Sequence, residues 1–261
     1  MGVVIGSYRW SEKTNGLLSR SDKAAMFTML VNAQVRELIG RVAAVTGSYR
    51  RKMAGVSLDR VVVPDTPMVR EAEHEARELY SQELWNHCQR TFAFAMLLGQ
   101  FHGIRPDTER LYLGCLFHDY GLTKAHASTS EHCGFELVGA RCAHGFANAH
   151  GSGREESVAL YESISLHLNP YLSFNANEAE AVLLQRGATL DVIGNDRHLI
   201  PQQELVRVHR RHSREGFREA ILATMRDIRH PPDSRAGFLF GCGFAVMAGK
   251  NPLDGMVEGA A

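Results

Sequence analysis

Apolar residues recur every three to four positions over most of the chain, the period of a helix that buries one face. Between Asp22 and Val45, Met26, Leu30, Val31, Val35, Leu38 and Val42 fall near one face of such a helix. Thr66 followed by Pro67 supplies an N-cap and a first helical residue for a Glu- and Ala-rich helix reaching about Leu79. Ser81 caps the next, from Gln82 to about Phe101, and Pro106, Asp107 and Thr108 open a third that carries LYLGCLFHD. Ser128 to about Ala147 reads as a fourth and Glu155 to Leu168 as a fifth. Asn175 with Glu178 three residues later resembles a capping box ahead of EAEAVLLQRG. Pro201 begins a long amphipathic segment to about Ile228, stopped by Pro231 and Pro232. Only VVVP at 61–64 reads as a strand, and residues 1–20 read as irregular. No repeat or linker divides the chain, so the expectation is one all-α domain spanning 1–261.

Composition narrows the class of protein. At 261 residues and 44% apolar content, the chain can bury a core without a metal or disulfide to hold it. Its 29 basic and 29 acidic residues cancel, so it lacks the basic excess with which nucleic-acid binders neutralise phosphates, and no nucleic-acid partner is expected. None of the five cysteines has a CxxC partner, which fits buried thiols in a reducing compartment. The start, MGVVIGSYRWSEK, lacks the basic and apolar stretches of a signal peptide, and the weakly polar run at 237–249 is too short for a membrane span. The expected location is the cytoplasm.

Chemistry enters with histidines and acids placed where water should be scarce. His87, His118 and His167 each share a helical face with apolar residues, where an unpaired imidazole is costly. Asp119 follows His118 inside a mostly apolar helix, and Asp191 lies in GATLDVIG. A buried carboxylate needs a charge partner or a metal. Two readings stand open from the residues alone: a mixed nitrogen and oxygen site for Zn²⁺, Fe²⁺ or Mn²⁺, or a buried His–Asp ion-pair cluster.

The order His87, then His118–Asp119, then Asp191 resembles the HD superfamily of metal-dependent hydrolases, and within it the branch containing cyanamide hydratase. The resemblance rests on VVPDTPMVREAEHEA, ELWNHCQRTFAFA, LYLGCLFHDYG, FELVGA and ATLDVIG, from about Val61 to Gly194. It implies an HD-type helical core over 61–194 with additional helices in the flanks 1–60 and 195–261. It makes His87, His118, Asp119 and Asp191 ligands of one divalent metal, zinc before iron or manganese. Two-metal relatives carry further histidines. Here Phe135 or Glu136 stands nearest the earlier of those positions, with His132 a turn away, and His167 matches the later one. The incomplete set favours one metal.

The resemblance further implies an enzyme that adds water to a small nitrogen-containing substrate, with Asp119 and His167 as catalytic candidates. Asn86, Thr123 and Lys124 are candidates for the substrate pocket. Arg90 reads as a structural partner of a buried acid such as Asp119. The alternatives are a phosphohydrolase acting on a nucleotide or phosphate monoester, and a noncatalytic metal-binding regulatory module. The basic stretch RVHRRHSREGFRE reads as a solvated helix face, and Phe238, Phe240 and Phe244 as packing against the core or a pocket wall. A small-molecule substrate is the expected partner, no membrane is expected, and the helical faces at 22–45 and 201–228 leave room for a homo-oligomer.

Overall fold

In a computed structural model, which describes residues 4–258, the chain is all-α. The helices are α1 (Tyr8–Thr14), α2 (Arg20–Val45), α3 (Arg50–Met53), α4 (Pro67–Leu79), α5 (Gln82–His102), α6 (Thr108–Phe117), α7 (Ala127–Cys133) and α8 (Phe135–Ala149). They continue with α9 (Arg154–Leu166), α10 (Ala179–Ile193), α11 (Gln202–Arg211), α12 (Phe217–Asp227), α13 (Arg235–Gly241), α14 (Phe244–Ala248) and α15 (Gly255–Glu258). Among the described residues no helix is long and apolar enough to cross a membrane.

Local chemistry sets most of these boundaries. Thr66 and Ser81 accept from the backbone N–H three residues on, as their positions predict, and Asp107 does the same for α6. Four expectations fail. Asn175 forms no capping box, because α10 begins only after Glu178 and Asn175 lies in the preceding turn. The stretch 201–228 is two helices, broken where Gly216 takes a positive φ of 70°. Val61–Pro64 pairs with nothing, and residues near the start form α1, capped by Ser7. Among the described residues a single isolated bridge joins Leu17 to Ser234.

α5 is buried along nearly its whole length and packs lengthwise on α10, with α6, α8 and α9 completing the core around them. The α5–α10 contact is close because Gly187 faces the Thr91 carbonyl and Ala95 without a side chain in between. Gly139 of α8 does the same against the Phe117 carbonyl, and the His118 carbonyl lies next to it. α8 therefore seats directly under the backbone that carries His118 and Asp119.

α2 attaches differently. Met26, Leu30, Ala33, Glu37 and Gly40, at spacings of four, three, four and three, face the body of the protein, with Gly40 pressed on the His198 ring. Glu37 is the polar anchor: it accepts from Arg41 at 2.7 Å and the Asp196 backbone at 2.9 Å, and stands 3.4 Å from His198. Burial works against its charge, yet these partners hold its carboxyl down at about 2. The apolar face expected to pack inward is split. Met26 and Leu30 face the body, whereas Val31, Val35, Leu38 and Val42 are exposed.

Two substitutions on α8 test its close approach. Gly139→Ala puts a methyl on the Phe117 carbonyl and is expected to cost about 1–3 kcal/mol. Gly145→Ala, where a methyl meets nothing, is expected to be neutral or to stabilise by up to about 1 kcal/mol. Urea unfolding of the two variants checks the contrast, and equal effects would refute it.

Candidate metal centre

Four elements bring the site together. His87 comes from the middle of α5, and His118 caps the end of α6. Asp119 follows at φ −108°, ψ 11°, where the chain leaves the helix for a 3-10 turn at Tyr120–Leu122. His167 caps the end of α9, and Asp191 comes from α10. The doublet thus sits at a helix end and not within a helix as the sequence suggested. That change of backbone direction lets neighbouring side chains, which would diverge by about 100° on a helix, turn toward one point.

The His87 and His118 Nε2 atoms are 3.2 Å apart, and each lies 3.4 Å from Asp119 Oδ2. All three residues are buried. Each imidazole is pinned from behind. His118 Nδ1 donates to the Cys115 carbonyl at 2.8 Å, and His87 Nδ1 donates to Asp191 Oδ2 at 2.6 Å. With both Nδ1 atoms placed as donors, the two rings turn their Nε2 atoms to each other and to a carboxylate oxygen. Three acceptors facing one another need either a proton or a cation among them. Burial pushes the His118 imidazole below its usual value, so a proton on it is disfavoured despite Asp119 beside it. Among the described residues this is the fully buried group whose donor atoms could hold a metal. A second group, Glu37, Asp196 and His198, is tied up by Arg41 and Arg186.

Asp191 is placed behind His87 instead of in the cluster. Its Oδ1 accepts from Arg90 Nε and Arg214 Nη1, both at 2.8 Å, and its Oδ2 from Arg90 Nη2 at 2.9 Å as well as from His87. Its backbone carbonyl takes Arg214 and Asn251. Burial alone would raise its pKa, but Arg90, Arg214 and His87 outweigh burial and hold the carboxyl well below the usual range. With both oxygens engaged, Asp191 fixes the orientation and tautomer of His87, as carboxylates behind metal-binding imidazoles do. Arg90 therefore pairs with Asp191 and not with Asp119.

The stretch expected to be a solvated helix face is in part the support of this group. Arg214 is buried on Asp191, and Phe217 stacks on the His87 ring at 4.8 Å while lying under both guanidinium groups. Neither residue was singled out in the sequence. The available signal was the excess of buried acid over buried base around Asp191, next to a basic segment interrupted by Gly216 and Phe217.

The cluster opens into a cavity of about 110 Å³. His167 lines it, buried and edge-on to His118 with ring centroids 5.1 Å apart. Its Nδ1 donates to the Ile164 carbonyl at 2.6 Å, which leaves Nε2 as the free nitrogen. Burial, with His118 adding to it, keeps this imidazole well below its usual pKa and neutral. Phe135, Phe240 and Phe244 form walls, whereas Phe238 packs near Trp10 and Met26. Glu136 is spent elsewhere, on the buried Arg235, and His132 is exposed. The three proposed pocket residues lie outside the walls. Asn86, one residue from His87 and so rotated away from it, accepts from Gln82. The Thr123 hydroxyl donates to the Tyr120 carbonyl at 2.7 Å, and Lys124 is exposed.

No known family and no curated protein matches the chain.

The two acids have separable roles. Asp191→Ala strands two buried guanidinium groups and is expected to cost about 3–5 kcal/mol in metal-free protein. Asp119→Ala removes one of three facing acceptors and is expected to change metal-free stability far less. Chemical denaturation of chelator-treated variants measures both, and a large loss in Asp119→Ala with a small one in Asp191→Ala would reverse the assignment.

Proposed function

We propose that this chain is a metal-dependent hydrolase or hydratase that adds water to a small, uncharged, nitrogen-containing substrate. The observation that carries the reading is the set of three convergent acceptors. A tetrahedral ion with bonds of about 2.0–2.1 Å has ligand atoms roughly 3.3–3.4 Å apart, and the separations of 3.2, 3.4 and 3.4 Å match that without rearrangement. His87, His118 and Asp119 would hold the ion, and Asp191 would support it through His87. Zinc suits this donor set best, with iron or manganese as the alternatives. The resemblance of His87, His118–Asp119 and Asp191 to the HD hydrolases supports the same reading.

A divalent ion here would supply Lewis acidity, lowering the pKa of water and drawing charge from a polarised substrate atom. The protein's own part follows from its geometry. With His87, His118 and Asp119 as its ligands, the ion would keep a position for water or substrate, and the cavity adjoins all three residues. His167, neutral and anchored through Nδ1, offers Nε2 to take a proton from the attacking water and return it to the substrate nitrogen. The apolar walls offer water few partners on their side of the site, which would strengthen these interactions. No Lys or Arg lines the cavity, so nothing there would pair the charge of a phosphate ester. This favours the neutral substrate over the nucleotide or phosphate-ester alternative. An open coordination position would serve no purpose in a regulatory module.

Elemental analysis of protein purified without added metal is expected to show about one equivalent of zinc or iron per chain, lost in Asp119→Ala. Cyanamide and small nitriles or amides are the substrates to assay, and His167→Ala is expected to reduce turnover by about 10²–10⁴-fold with metal content unchanged. No metal in either protein after reconstitution would sink the site, and two equivalents would move the reading to phosphohydrolase chemistry.

A further inference from the structure

We infer that the substrate of this centre carries an apolar body of about four to six carbon atoms, attached to a nitrile or carboxamide head that meets the metal. This inference rests on the proposed function for the head alone, because the cavity determines the body. An apolar protein cavity of about 150 Å³ holds a benzene ring, and this one is about 110 Å³. A triatomic head such as that of cyanamide would leave most of it unfilled. Leu122, Phe135, Val192, Ile221, Met225 and Phe240 supply apolar wall from five separate parts of the chain, so the apolar lining belongs to the whole chamber. Away from the cluster the polar wall groups are amides and a hydroxyl, Gln34, Asn169, Gln185, Asn195 and Thr189, and Gln185 Nε2 already donates to Thr189 Oγ1 at 3.0 Å. A carboxylate or ammonium on the far end of the substrate would find no partner there. Specificity then comes from fit and burial, and each added methylene should tighten binding until the chamber is full.

The test uses the full chain in metal-free form, so that it reads the chamber independently of catalysis. Calorimetric affinities are measured for the straight-chain amides from acetamide to octanamide. Affinity is expected to rise about fourfold per methylene and to stop rising near hexanamide. In Ala188→Leu, which fills the chamber from α10 and leaves the metal ligands untouched, the rise should end two or more carbons earlier. A flat series, or a rise that ignores Ala188→Leu, would overturn the inference. A rising series on a protein that never turns over any amide or nitrile when metal-loaded would instead leave the chamber standing and remove the proposed reaction.

A separate observation carries a second inference: α2 pairs with α2 of a second copy of this chain. Opposite the face that binds the body, Val31, Val35, Leu38, Val42 and Val45 follow one another at spacings of four, three, four and three, with Phe27 and Ile39 beside them. That is the seam of a helix made to pack on another helix. Exposures run from 47% at Val31 to 89% at Val45. Together they leave several hundred Å² of apolar surface open, at or above the largest patch of an ordinary monomer, roughly 300–600 Å². Two such faces bring the contact near the ~1,000 Å² of a specific interface. The seam has no charge of its own: Glu37 and Arg41 pair with each other, and Arg36 lies over Tyr171. A strip with no charge to choose an unlike partner, repeated across a twofold axis, meets the self-complementarity that a symmetric dimer requires.

Sedimentation equilibrium at micromolar concentration is expected to give twice the 29.0 kDa chain mass. Val35→Glu combined with Leu38→Glu should give the single mass with unchanged helicity, because both side chains are exposed in the single chain, and with a melting temperature that no longer depends on protein concentration. A monomeric wild type, or a dimer that survives the double variant, would refute the pairing. So would a monomer that co-sediments with phosphatidylcholine vesicles through this seam.

Discussion

The buried carboxylate of Asp191 is the constraint on which the rest of the structure depends. It is fully enclosed, and it is tolerated only because Arg90, Arg214 and His87 surround it with donors. Those partners come from α5 and from the link between α11 and α12, and its carbonyl binds Asn251 near α15. One side chain therefore joins the central helix pair to the C-terminal third of the chain. Arg214 also reaches Asp254 at 2.8 Å, so the second guanidinium charge is balanced as well. Phe217 closes the arrangement by stacking on His87 beneath both guanidinium groups.

What reaches the site from this arrangement is orientation. His87 cannot turn its Nδ1 toward the cavity without abandoning an ionised carboxylate, so its Nε2 is committed to the cluster. His118 and His167 are committed in the same way by carbonyls three residues back, Cys115 and Ile164, each at a helix end. That repeated device costs little, because carbonyls in a last helical turn have acceptor capacity to spare, and Ile164 takes both the His167 N–H and its Nδ1. The result is three imidazoles with assigned tautomers and no freedom to rearrange when an ion or substrate is present. Asp119 differs: its carboxylate faces the two Nε2 atoms at 3.4 Å.

How much of this the sequence disclosed follows from what each feature depends on. The helices and their caps were legible because Thr66, Ser81 and Asp107 act on backbone within three residues. His87, His118, Asp119 and Asp191 stood out as polar residues where periodicity demanded apolar ones. Their division of labour did not, because whether Asp191 meets an ion or an imidazole depends on Arg214, 23 residues further on. Arg214 sits in a segment whose composition reads as solvent-exposed. Asn86, Thr123 and Lys124 were assigned to the pocket by nearness in sequence to ligands. On a helix or a 3-10 turn, one step along the chain rotates a side chain out of the site. The split faces of α2 were equally hidden, since periodicity shows that a helix has apolar stripes but not which stripe its own domain takes.

The charge pattern around the centre argues for the kind of chemistry proposed. Arg90 and Arg214 lie behind the cluster, bound to Asp191, and Arg235 is held by Glu136, so no guanidinium lines the cavity, whose wall beyond Asp119 is apolar or uncharged. A site meant to receive an anion would place those arginines the other way round, where they could meet a phosphate directly. With them turned inward, the fixed charge facing the cavity is the Asp119 carboxylate, which would repel an anionic substrate and suits a cation with a neutral guest. The apolar lining adds to that preference, because a misplaced charge against it meets few polar groups to relieve it. Water addition to an uncharged, polarisable nitrogen compound makes use of each of these features, and phosphate-ester hydrolysis would have to work against two of them.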